Sequence, residues 1–189
     1  MTELGKINPA YESEKEKIAE IIGSTGYILL SNILSPEAYA SLKASKKKTA
    51  FRQSTILNLH NFSEAKPSKD VARIMTEVTK YIQDTLNEQL LPNTLRIRKY
   101  SKGSYTMQHD LQPAEGIDII LFIADDWQNE YRGELTYTSE NPIYFYPQGN
   151  TLGIIVRNEG IKSFVKRVTY LAGKSSFIAI EMNLKREYV

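Results

Sequence analysis

After Pro92 the chain breaks into short runs rich in β-branched and aromatic residues: LRIRKY, IDIILFIAD, GELTYT, PIYFYP, TLGIIVRN, KSFVKRVTYL and SSFIAIEMNL. Between them fall the turn-forming stretches SKG, QPAEG, DWQNEYRG, SENP, PQGN, NEG and AGK. Side chains of the first kind fit a pleated, half-buried surface, and those of the second break it. This spacing predicts a β-sandwich or barrel.

Before Pro92 the texture is mostly helical. SEKEKIAEIIGSTG places Ile18, Ile21 and Ile22 at helical spacing, with Ser13 and Glu16 three apart as a capping box and a stop at Gly23 to Gly26. YILLSNIL reads as a strand, and Ser35 followed by Pro36 begins a second helix. From Ser68 to Leu91, the residues Val71, Ile74, Met75, Val78, Ile82 and Leu86 trace one face of a long amphipathic helix. Arg52 to Pro67 carries no clear pattern. The helices are expected to pack on one outer face of the β structure, giving an α+β, mainly β fold. We expect a single domain over 1–189, with helices and flanking strands in 1–94 and the β core in 95–189.

Composition removes several functions. With no cysteine among 189 residues, disulfides, thiolate metal sites and a cysteine nucleophile are excluded. A formal charge of +2 gives no electrostatic reason for a nucleic-acid or membrane partner. The start, MTELGKINPAYESEKEKIAEII, has charges where an export signal needs an apolar run, so a cytoplasmic location is expected. GxxxxGK[ST], GxGxxG and GxSxG are all absent. Lys43 to Lys48 close a helix, where lysines suit its dipole, and Arg96 and Arg98 alternate along a strand as a surface ladder.

One stretch retains chemical interest: YSKGSYTMQHDLQ, Tyr100 to Gln112, holding His109 beside Asp110. The other histidine is His60, in LNLHNF. Tyr100 lies nine residues before His109; Trp127 precedes a turn, Arg132-Gly133-Glu134-Leu135; Pro147 and Asn150 form P-x-x-N ahead of an apolar strand. In order and spacing these marks, over about Leu95 to Met182, resemble the iron(II)- and 2-oxoglutarate-dependent oxygenases. The likeness is to the prolyl-4-hydroxylase-like branch, near the group that hydroxylates a proline of a ribosomal protein. The resemblance implies a double-stranded β-helix, a jelly-roll or cupin-like barrel, supported by the N-terminal helices. It also implies two imidazoles and a carboxylate on iron(II), and a basic residue near the start of the last strand pairing with 2-oxoglutarate. The first two ligands stand two apart because such residues share a side of a strand.

At those positions this chain departs from the pattern. His109 falls at the first ligand, but the carboxylate position is Leu111, with Asp110 in the middle of the triplet. The later imidazole position is Val165, after Ser163-Phe164, and the arginine position is Ser176, after Lys174-Ser175. The leading expectation is a barrel that has lost iron chemistry, binds no cofactor and acts as a binding or scaffolding module for a protein or peptide, with His109, Asp110, Leu111, Val165 and Ser176 as its remnant site. The alternative is an active dioxygenase with iron(II) and 2-oxoglutarate. It would use atypical metal ligands, His109 and Asp110, with a register slip presenting Gln108 and Asp110 or with His60 folding across, and Tyr100 and Lys174 at the oxoacid. A third class is sugar, nucleotide or effector binding in the same barrel. Tyr144 and Tyr146 share one face of PIYFYP between two prolines and are the candidate peptide contacts, against ordinary strand filling.

Overall fold

The computed structural model describes residues 6–46, 49–107, 115–158 and 160–186. Among the described residues three α-helices, α1 (Lys15–Thr25), α2 (Pro36–Lys46) and α3 (Lys69–Leu86), accompany eleven strands. These are β1 (Tyr27–Ser31), β2 (Arg52–Ile56), β3 (His60–Ala65), β4 (Leu90–Ser101), β5 (Tyr105–Thr106) and β6 (Gly116–Ala124), followed by β7 (Leu135–Thr138), β8 (Ile143–Phe145), β9 (Thr151–Arg157), β10 (Lys162–Val165) and β11 (Ser176–Arg186). The larger sheet runs β1-β9-β6-β11-β4-β3-β2, with β5 beside β3, and the smaller runs β10-β7-β8. Neighbours are antiparallel throughout.

Because alternate side chains leave a strand on opposite faces, the larger sheet has two cores. Ile119, Leu121, Ile123, Leu152, Ile154, Ile178 and Ile180 pack with Ile18, Ile22, Val71, Ile74, Val78 and Ile82 of α1 and α3. The opposite parity sends Ile120, Phe122, Ala124, Ile155, Phe177 and Ala179 towards Leu135, Tyr137, Phe145 and Val165 of the smaller sheet. Two sheets closing on an inner core, with helices on one outer face, make the double-stranded β-helix.

Some boundaries differ from the sequence expectation, each for a local reason. Asn8 caps a 3-10 turn at Pro9–Glu14, its side chain accepting from the Ala10 amide at 3.1 Å, so α1 starts at Lys15 and the Ser13–Glu16 capping box is not formed. Ser35 does cap α2, its hydroxyl accepting from the Ala38 amide at 3.2 Å. The third helix stops at Leu86 because Asn87 turns left-handed (φ 52°), which frees Leu90 to open β4. Arg52 to Pro67 holds the β2–β3 hairpin, turned by Asn58 at φ 61°. In KSFVKRVTYL the strand ends at Val165; beyond it the Val168 amide bonds to the Ser104 carbonyl and Tyr170–Ala172 form a 3-10 turn. Asn150 of the P-x-x-N mark clips the segment between β1 and α2 to the start of β9: its side chain accepts from the Leu34 amide and donates to the Leu34 carbonyl, each at 3.0 Å. Among the described residues no helix is long and apolar enough to cross a membrane.

Candidate functional site

Register places Tyr100 of β4 beside Phe177 of β11, which pairs on its other side with Ala124 of β6. Both rings are fully buried and stack with centroids 5.0 Å apart. Phe122 meets Phe177 edge-on at 6.2 Å and Trp127 does so at 4.9 Å. The Trp127 indole N–H donates to the Arg132 carbonyl at 2.9 Å, which holds that ring over the barrel end. Gly133 allows the close fit, since a Cβ there would come within 2.8 Å of the Phe177 ring, at a backbone φ of +84°. The Trp127 and Gly133 marks therefore act in packing around Phe177.

The Tyr100 hydroxyl is buried without a hydrogen-bond partner among the described residues. Burial raises its pKa well above the ordinary value, Glu181 adds to this, and Arg98 offsets part of it. Val165 faces inward at the end of β10, 4% exposed, opposite Leu135, with its amide donating to the Thr106 hydroxyl at 2.7 Å. Ser176 opens β11 on the parity of Ile178 and Ile180, the helix side, so the inward place beside Tyr100 belongs to Phe177. Lys174 is exposed in the turn before β11. Gln108, His109, Asp110 and Leu111 lie outside the described residues.

At two of the positions the resemblance marks, Val165 and the start of β11, the side chains do not fit iron(II) and 2-oxoglutarate. A valine in apolar packing stands where the second imidazole is needed, and it offers no lone pair. An aromatic stack fills the inward start of the last strand, where an oxoacid needs a cation. Among the described residues no group of three or more His, Asp or Glu side chains comes together.

Deeper in the barrel lies a charged cluster that sequence reasoning missed. Arg157 bonds Asp118 at 3.2 Å and the Ile161 carbonyl at 2.6 Å. Asp118 also accepts from the Asn183 amide at 2.8 Å and from the Tyr137 hydroxyl at 3.1 Å. Burial raises the Tyr137 pKa well above its ordinary value, and the Asp118 charge reinforces this. Arg98 pairs with Glu181 at 2.9 Å and lies over the Phe62 ring at 4.7 Å, so it is an interior residue and not part of a surface ladder. His60 is half-buried, stacked on Phe62 at 4.6 Å with its ring nitrogen 2.9 Å from the Ser54 hydroxyl. The signal was present in the sequence: Asp118 in IDIILFIAD and Glu181 in FIAIEMN interrupt apolar strands at inward positions. Tyr144 and Tyr146 are 43% and 40% exposed on either side of buried Phe145, with the Lys166 ammonium 5.0 Å from the Tyr144 ring.

No family model matches the chain. A stretch of 82 residues, 39% of the chain, is 33% identical to prolyl 3-hydroxylase OGFOD1 of Xenopus laevis and spans 16% of that protein. Among solved structures, a prolyl-4-hydroxylase of Pseudomonas putida superposes with a TM-score of 0.69 at 12% identity, over 92% of this chain and 100% of that one. A prolyl hydroxylase of Trichoplax adhaerens, in complex with a hypoxia inducible factor peptide, gives 0.65 at 9% identity over 93% of each chain. The solved structures show that the chain shares the double-stranded β-helix fold of prolyl hydroxylases, and its 82-residue stretch is similar in sequence to one prolyl 3-hydroxylase.

Proposed function

We propose that the chain is a prolyl-hydroxylase-like barrel that has given up iron and 2-oxoglutarate chemistry and works as a binding or scaffolding module. The observation that carries this is the interior itself: Val165 at the later imidazole position, and Phe177 stacked on Tyr100 in the inward place next to Ser176, the expected oxoacid position. A carboxylate and an imidazole would have to return before iron could be held. The Leu111→Asp/Val165→His variant is therefore expected to gain nickel affinity by calorimetric titration, where the wild type shows none. A folded double variant with no gain would mean that the strands are wrongly aligned to the family.

A peptide is the partner class, as in the Trichoplax adhaerens complex, whose partner is a peptide fragment. Tyr144 and Tyr146, exposed between Pro142 and Pro147, offer the amphipathic rings that such ligands stack on. Replacing both by alanine is expected to weaken capture of the partner from the native host about tenfold or more without changing thermal stability. Equal capture by both forms would remove this surface from the proposal.

A further inference from the structure

The barrel holds a half-open chamber of about 530 Å³ lined by residues of its two sheets and of the β2–β3 hairpin. That volume lies in the range of small-molecule sites. Arg96 and Glu64, both exposed, also line the chamber as one cation and one anion, and the less accessible charges divide into two pairs. The Arg157 side chain is only 3% exposed and both Asp118 oxygens already accept hydrogen bonds, so this pair is closed and structural. The Arg98 and Glu181 side chains keep 19% and 21% of their surface accessible, so a cation and an anion stand side by side in the chamber. Ile120 of β6 stands beside Glu181, and Leu135 and Val165 belong to the opposite, smaller sheet; together they form the apolar part of the lining.

A ligand of one charge sign would satisfy one member of the Arg98–Glu181 pair and desolvate the other without return. A ligand carrying both signs meets each with a charge-assisted hydrogen bond and leaves the chamber neutral. We infer that the chamber is a binding site for a zwitterion, a free α-amino acid whose apolar side chain lies against Ile120, Leu135 and Val165. Its carboxylate goes to Arg98 and its ammonium to Glu181. This rests on the non-catalytic reading, because Val165 belongs to the apolar lining and not to a metal.

The test is calorimetric titration of the whole chain, with a metal chelator present, using L-leucine and L-phenylalanine as probes. Binding with a Kd below about 1 mM is expected for at least one of them. N-acetyl-L-phenylalanine and L-phenylalaninamide, each lacking one charge, should bind about tenfold more weakly or worse. Arg98→Met/Glu181→Leu removes both charges together and should abolish binding; Arg98→Lys, which keeps the ion pair, should weaken it several-fold and decides the matter if the double variant does not fold. The inference fails if neither probe binds the folded wild type at about 10 mM, if the blocked derivatives bind equally well, or if both variants keep full affinity. Because the chelator excludes metal, this titration reads amino-acid binding alone, while iron binding by the wild type in a separate, chelator-free titration would overturn the non-catalytic reading on which the inference rests.

Discussion

Replacing Phe177 with alanine is expected to lower the free energy of unfolding by about 3–5 kcal/mol, the usual cost of deleting a buried aromatic ring. The ring is 1% exposed and is held by Tyr100, Phe122 and Trp127 together. Its removal leaves a cavity that β4, β6 and β11 cannot close, because each is fixed by its sheet partners. Urea unfolding should show a lower midpoint with an unchanged slope. Phe177→Leu, which keeps most of the volume, should cost about 1.5 kcal/mol or less. A barrel end left open for a cofactor behaves differently. There the alanine variant would cost under about 1 kcal/mol, because the ring would already border solvent.

Arg157→Met is expected to destabilise by a comparable amount, about 3–5 kcal/mol, through a different mechanism. It leaves the Asp118 charge inside the barrel with only the Asn183 and Tyr137 donors and also frees the Ile161 carbonyl. Arg157→Met/Asp118→Leu removes both charges and should recover much of the loss, since an apolar pair of similar volume often replaces a buried ion pair at little cost. A single variant within about 1 kcal/mol of wild type would show that water already screens the pair.

Much of the barrel was legible in the sequence, because strands with one or two buried faces write themselves in β-branched and aromatic residues. IDIILFIAD became β6 and SSFIAIEMNL became β11 with small changes at their ends. The β2–β3 hairpin was not legible: RQSTI and HNFSEA carry mixed polarity because β2 edges its sheet and only Phe62 of the two strands is fully buried. Nor did periodicity show where α3 ends, since the apolar spacing continues through Leu90 and only the left-handed Asn87 breaks it. For the site, sequence order located Val165 on the inward face of β10. It could not give the parity of β11, because Ser176 and Phe177 are adjacent and one residue of register decides which of them faces inward. The interior salt bridges depend on pairing between strands remote in sequence, so Arg157 and Asp118 gave no local sign of each other.

The most direct measurement is an anaerobic titration of the wild-type chain with iron(II) and 2-oxoglutarate, followed in visible absorbance and, after air is admitted, by assay for succinate. On the proposed non-catalytic reading, which rests on Val165 at the expected later imidazole position and on the Phe177–Tyr100 stack beside Ser176, no charge-transfer band and no succinate above the protein-free control are expected. Appearance of the band, or turnover of 2-oxoglutarate to succinate, would contradict the account.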